Sequence, residues 1–379
     1  RQWLSQWSRL NPAGTPLYSL PDLAEDLGVE QVLVKDESER SVLGSFKALG
    51  APIALVRLIL RTFPDQCFAP HDLLEGKHAD ALAHFTVISA TDGNHGRALA
   101  AAAQSIGCRC VIVLHANVSV EREQAIRAYG AQIVRVTGNY DESVEKAASL
   151  AAEHDWIVVS DTSYEGYEVI PRDVMQGYGT LAAEVIESLK AGDTQTPPFT
   201  HVFLQGGVGG LAAGIASYLW EWYGERRPVF VVVEPQQADC LYQSALAGRA
   251  AKATGSVDSV MAGLACGETS PLAWRFLQPC IDFFMTIDDT EALVAMRRLA
   301  AGSARDIPLV AGESAVAGLA GLMHLVYSGA NAADMGINEK SRILFISTEG
   351  ATAPGLYADL LGETHTGVLS RQKAWSGAI

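Results

Sequence analysis

The sequence predicts an α/β protein of two lobes, each lobe a mostly parallel sheet flanked by helices. Three observations lead there. Short apolar runs alternate with helix-like stretches twice along the chain. A polar and aromatic stretch, Asp161-Thr162-Ser163-Tyr164-Glu165-Gly166-Tyr167, separates the two runs. The chain has 379 residues, 49% hydrophobic and 19% charged, enough for two sizeable cores and too apolar for a disordered protein.

To about residue 44 the chain is loop-rich, with Asn11-Pro12, Thr15-Pro16 and Leu20-Pro21 as turn signals. Within it, residues 32–38 read as an apolar strand running into a charged loop, and residues 48–61 then read as a helix. Residues 63–81 are irregular and polar. Strands are expected at 86–90, 109–114, 132–136 and 156–159, with helices at 97–106, 120–129 and 141–154 between them. That alternation implies parallel βαβ units. After the 161–167 break come a helix at 179–189 and a loop with Pro197-Pro198. The second alternation places strands at 201–204, 229–233, 283–287 and 342–347, and helices at 211–223, 291–304, 315–327 and 355–361. A site between the lobes is the simplest arrangement.

The formal charge of −15 argues against a nucleic-acid partner, which needs a basic face. The longest apolar stretch, residues 211–220, is too short to span a membrane. The opening Arg1-Gln2-Trp3-Leu4 lacks the apolar run of a secretory signal, so the cytoplasm is the expected compartment. Six cysteines lie scattered without metal-ligand spacing. Cys240 and Cys266 both follow second-lobe strands in expected loops and could bridge, but two free thiols are favoured in a reducing compartment.

Three short segments carry chemistry. In Gly44-Ser45-Phe46-Lys47 the lysine sits at a loop-to-helix junction among small and apolar residues. Desolvation and the positive end of a helix both disfavour an ammonium there, and a neutral amine can form a Schiff base. Gln205-Gly206-Gly207-Val208-Gly209-Gly210 follows a strand and opens a helix, so its amides can close around a phosphate. The same residues also fit a dinucleotide fingerprint, with Glu234 as a ribose carboxylate, so a dehydrogenase is a rival. The third segment, Ser89-Ala90-Thr91-Asp92-Gly93-Asn94-His95-Gly96, joins a strand to a helix in the other lobe. Ser89, Thr91, Asp92, Gly93 and His95 are candidate substrate contacts, with the loop amides facing a carboxylate. His95 reads as a packing and hydrogen-bonding residue. A dehydrogenase has no need of this loop. An enzyme of pyridoxal phosphate needs all three parts: a lysine, a phosphate loop and a substrate loop.

With these motifs the sequence resembles the fold type II pyridoxal-phosphate enzymes, the threonine dehydratase and tryptophan synthase β group. Within them it is similar to the diaminopropionate ammonia-lyases. The match runs through Ser45-Phe46-Lys47-Ala48-Leu49-Gly50-Ala51, Thr91-Asp92-Gly93-Asn94-His95-Gly96-Arg97, Asp161-Thr162, Tyr164-Glu165-Gly166-Tyr167, Met175-Gln176-Gly177-Tyr178 and Met261-Ala262-Gly263-Leu264-Ala265-Cys266-Gly267-Glu268.

The resemblance implies Lys47 as the residue joined to pyridoxal 5'-phosphate. It implies Gly206, Gly207, Val208, Gly209 and Gly210 around the phosphate, and Asn94 at the ring oxygen. Ser347 or Thr348 would face the ring nitrogen. It implies a large cofactor domain of residues 1–47 and 163–379, a small domain of residues 48–162, and a homodimer. Asp92 replaces the small residue usual in the dehydratases. It could pair with the second amine of the substrate or act as a base if burial raises its pKa.

The expected reaction is α,β-elimination of 2,3-diaminopropionate to pyruvate and two ammonia molecules. Lys47 would act on the L isomer, Asp92 on the D isomer, and Asp161 would hold or protonate the departing nitrogen. Glu165 and Tyr167 are second candidates, and Glu313 a cap or ring-side contact. Ala351 stands where the lyase pattern has an acidic residue, which leaves hydrogen bonding there open. A serine or threonine dehydratase, or a β-replacement synthase, is the alternative on the same fold.

Overall fold

The structure is a computed structural model that describes residues 4–375 apart from 92, 139, 190–195, 330 and 331. Ten strands lie among the described residues: β1 (Leu17–Ser19), β2 (Gln31–Asp36), β3 (Thr86–Ala90), β4 (Arg109–Leu114), β5 (Gln132–Arg135), β6 (Ile157–Val158), β7 (His201–Gln205), β8 (Val229–Pro235), β9 (Phe283–Ile287) and β10 (Arg342–Ser347). They form two sheets, ordered β5-β4-β3-β6 and β1-β2-β10-β7-β8-β9. All neighbours are parallel except β1 with β2.

The chain divides into two compact units. One is Arg1–Ala13 with Arg40–Gly177, and the other is Gly14–Glu39 with Tyr178–Ile379. The sequence drew its lines at residues 47 and 162 instead. Segments 1–13, 40–47 and 163–177, assigned there to the large domain, pack with the four-stranded unit. The reasons are long-range contacts. Trp7 Nε1 and Arg9 Nε each donate to Ser105 Oγ at 3.0 Å, and Arg97 donates to the Leu43 carbonyl at 3.1 Å.

In the four-stranded unit β3 and β4 are buried almost throughout, which suits their continuous Val and Ile. The following helix, Asn94–Ile106, buries Ala98 and Ala100 to Ala103. Such small side chains let a helix lie close to its neighbours. The sequence started this helix at 97, so Asn94 and His95 belong to its first turn.

In the six-stranded unit Val32 and Val34 of β2, Ile343 and Phe345 of β10, Phe203, Val231 and Val233 join one apolar cluster. Residues of the helices Asp289–Ala301 and Ala317–Ser328 complete it. The first of these helices opens on a capping box between Asp288 and Glu291.

Strands 86–90, 109–114, 283–287 and 342–347 match their expected bounds. β1 was not expected, and the other strands differ by a residue or two at their ends. The largest difference is the helix Val169–Ser188, expected only from 179. Pro171 sits in its first turn, where no N–H is needed, so it opens this helix and does not break it. Residues 63–81, expected irregular, contain the short helices Pro70–Leu74 and Ala79–Leu82. Helices Pro21–Asp26, Cys240–Ala247, Pro271–Cys280 and His365–Ala374 were not expected. No described helix is long and apolar enough to cross a membrane.

Candidate active site

The candidate residues gather at the carboxyl ends of parallel strands, within each unit separately. In the four-stranded unit a single 3-10 turn, Phe46–Leu49, carries Lys47. Gly177 explains how this turn is approached. A Cβ there would lie 2.2 Å from the Leu49 carbonyl oxygen, so only glycine lets the helix Val169–Ser188 pass so close. The Lys47 ammonium pairs with Asp161 Oδ2, and its Nζ lies 5.1 Å from the Phe46 ring centroid. Burial at a helix start disfavours an ammonium there, and the carboxylate partner works in the opposite direction.

Asp161 follows β6. Burial alone would raise its pKa, but the charges of Lys47 and then His95 outweigh burial and hold the carboxyl well below the usual range. His95 is 3% exposed. Its Nε2 donates to the Val159 carbonyl at 2.9 Å, and its Nδ1 lies 3.8 Å from Asp161 Oδ2. Burial lowers its pKa; the Asp161 charge opposes this as the next largest effect, the Lys47 charge adds to the lowering, and the Val159 carbonyl opposes it last. A neutral imidazole packed behind Asp161 agrees with the packing role expected for it.

Tyr167 supplies a strap that local sequence could not reveal. Its hydroxyl donates to the Val158 carbonyl and accepts from the Ser160 amide, both at 2.9 Å, and its ring stacks on Tyr164 at 4.7 Å. These bonds fix the chain on either side of the β6 end and so aim Asp161.

The turn after β3 is built on Thr91. Its Oγ1 accepts from the amides of Gly93 and Gly96 at 3.2 Å each. Those two amides are engaged, so a substrate carboxylate would use others of the turn. Ser89 is buried, with its hydroxyl toward the Ala90 carbonyl at 3.3 Å. Asn94 is the first residue of the helix. Asp92 lies outside the described residues.

In the six-stranded unit β7 leads into the turn 206–209 and the helix Gly210–Tyr223. Gly207 and Gly209 have φ of +65° and +97°, and a Cβ at Gly209 would lie 2.8 Å from Leu277. Both positions need glycine. Glu234, expected as the ribose carboxylate of the dehydrogenase alternative, is fully buried and turned elsewhere. Its oxygens accept the amides of Leu241 and Tyr242 at 3.1 and 2.8 Å, at the start of the helix Cys240–Ala247. Burial pushes its carboxyl up to about 8.

Cys240 opens that helix, where the sequence expected a loop. Cys240 and Cys266 are free thiols, and Cys240 donates to the Gly207 carbonyl at 3.4 Å. Ser347 ends β10 and Thr348 follows it, both buried. Ser347 Oγ has no hydrogen-bond partner among the described residues.

The profile of the family described as pyridoxal-phosphate dependent enzyme matches residues 9–349. The chain is 38% identical over 354 residues to the diaminopropionate ammonia-lyase of Escherichia coli strain K12, covering 92% of this chain and 87% of that one. Haemophilus influenzae biosynthetic L-threonine dehydratase is 28% identical over 312 residues, 82% of this chain and 52% of that one. The crystal structure of the E. coli lyase with an aminoacrylate-PLP azomethine intermediate superposes with a TM-score of 0.84 at 36% identity. It covers 95% of this chain and 91% of that one.

The residues present suit that cofactor. A turn stripped of side chains at a helix start suits a phosphate, a buried orphan hydroxyl at Ser347 suits a ring nitrogen, and Lys47 offers an amine. The family match and the commitment of Glu234 to a helix start together set aside the dehydrogenase alternative. The chain belongs to the pyridoxal-phosphate dependent enzymes of fold type II and, within them, to the diaminopropionate ammonia-lyase family.

Proposed function

We propose that the protein eliminates ammonia from 2,3-diaminopropionate, D and L alike, giving pyruvate and two ammonia molecules with uptake of one water. Pyridoxal 5'-phosphate, when bound, supplies the electron sink that stabilises negative charge at Cα. The observation that carries the reading is the Lys47–Asp161 pair, an amine beside a half-buried carboxylate that stays ionised.

Lys47 Nζ takes the Cα proton of the L isomer and returns a proton to the departing β-nitrogen. Asp161 holds the cationic β-amino group. Its depressed proton affinity makes it a poor acid, which narrows its expected double role to holding. Asp92 takes the Cα proton of the D isomer. Ser89, Thr91, Gly93 and His95 shape the turn that receives the substrate carboxylate.

Asn94 serves the cofactor's ring oxygen, and the amides of Gly206, Gly207, Val208, Gly209 and Gly210 its phosphate. Ser347 meets the ring nitrogen in preference to Thr348, a choice supported by its orphan hydroxyl. The enzyme works as a homodimer in the cytoplasm, which light scattering and cell fractionation check.

Pyruvate release across a panel of amino acids tests the function. Diaminopropionate should exceed serine and threonine; the reverse order would promote the dehydratase alternative. Asp92→Asn should lose the D isomer and keep the L isomer. Equal loss on both would contradict the assignment of one base to each isomer.

A further inference from the structure

A turn that holds a carboxylate needs donors and positive charge, and much of what surrounds the turn after β3 is already committed. Thr91 engages the Gly93 and Gly96 amides at 3.2 Å each. Lys47 pairs with Asp161. Arg97, in the first turn of the helix Asn94–Ile106, sends its guanidinium away to the carbonyls of Leu43 and Val42, at 3.1 and 3.5 Å.

Another arginine comes to the turn from the next strand-helix unit. β4 lies beside β3 in the same parallel sheet, and the helix Val120–Arg127 follows it. The Ser119 hydroxyl caps that helix, accepting the Arg122 amide at 3.2 Å. From this first helical turn the half-buried Arg122 side chain lies across Gly93. A Cβ on Gly93 would come 3.3 Å from Arg122 Cδ, 3.7 Å from Cγ and 3.8 Å from Nε. Gly93 also has φ of +152°, so glycine is required here twice, by the backbone and by the arginine stem. The stem resting on Gly93 brings the first nitrogen of the guanidinium to the turn. Glu123, the next residue on the helix, is taken up by Arg127 and Arg135 at 2.8 and 2.6 Å.

Resting on the function proposed above, we infer that Arg122 is a specificity residue: its guanidinium supplies the charge with which the turn selects substrates that carry a free α-carboxylate. A guanidinium is always charged, and its planar fork matches a carboxylate. It adds donors where two of the turn's amides are spent. The two ends of diaminopropionate then meet opposite charges in one unit, the carboxylate at Arg122 and the second ammonium at Asp161.

The test uses the cofactor-loaded enzyme and two probes, alanine and ethylamine, which differ only by the carboxylate. Each is titrated while the visible absorption of the bound cofactor is followed. Wild type should saturate with alanine at the lower concentration. Arg122→Gln should narrow the gap between the probes by about 10-fold to 100-fold, and Arg122→Lys should keep most of it. KM for diaminopropionate should rise by a similar factor for both isomers, with kcat changed by less than about threefold. Arg122→Met keeps the stem across Gly93 without the charge; it should narrow the gap equally and serves if the glutamine variant does not fold. No preference for alanine in wild type, or a gap unchanged in the uncharged variants, overturns the inference and leaves the proposed function intact. A loss confined to the D isomer does the same. No visible band in wild type, or no pyruvate from diaminopropionate, overturns the proposed function itself.

Discussion

Two strand-to-helix turns carry candidate residues, one turn in each unit, and each unit sets a carboxylate near its turn, half-buried Asp161 in one and fully buried Glu234 in the other. The turn after β3 is built from side chains: Thr91 holds two of its amides, and His95 packs down toward Asp161. The turn after β7 is built by removing side chains: Gly206 abuts Glu234, and Gly207 and Gly209 are left-handed.

The carboxylates behave oppositely. Asp161 has a lysine partner and stays ionised, whereas Glu234 meets two amides and a thiol among the described residues, and burial prevails. Burial therefore does not decide the state of a carboxyl; the partner does. The first turn is equipped to handle protons. The second is equipped to hold a fixed anion with backbone alone.

The largest break in this contrast is Asp161→Asn. It keeps shape and hydrogen bonding but removes the charge that pairs with Lys47. The rate constant kcat/KM should fall by about 100-fold to 10,000-fold in steady-state assay while the protein stays folded. A loss below tenfold would make Asp161 a structural residue.

Glycine replacement in the second turn comes next, and the two left-handed positions sharpen the reading of it. Gly209→Ala meets both backbone strain and Leu277, and should cost about 2–3 kcal/mol in denaturant unfolding. Gly207→Ala meets strain with ordinary contacts at 3.5 Å and beyond, and should cost about 1 kcal/mol. Equal costs would mean that the packing at Leu277 yields.

Glu234→Gln has an effect that depends on pH and vanishes in acid. The folded pKa of Glu234 is raised from 4.5 to about 8. Its stabilising contribution is thus complete below about 4.5 and is lost as pH rises through about 8. The glutamine variant should match wild type at pH 5 and exceed it at pH 9 by of order 1–2 kcal/mol in unfolding free energy. Asp161 has the opposite sign: its lowered pKa gives stability that is present above the ordinary carboxylate range and is lost only in acid.

Much of this was legible in the sequence because it is local. The apolar β-branched runs of β3, β4 and β10 mark strands by themselves, the aromatic β9 does so more weakly, and the glycine turn announces its backbone. What escaped is set by contacts between distant residues. The Tyr167 strap reaches back to Val158, Trp7 and Arg9 reach Ser105, and Gly177 exists for Leu49. The ionisation of Asp161 and Glu234 was hidden for the same reason, since a carboxylate's partner is chosen by the fold.

The most direct test is chemical. Borohydride reduction of the cofactor-loaded protein, followed by peptide mapping, should place the reduced pyridoxyl group on Lys47 and abolish the visible absorption band. Label recovered on another lysine, or none on a protein that still releases pyruvate, would contradict the account.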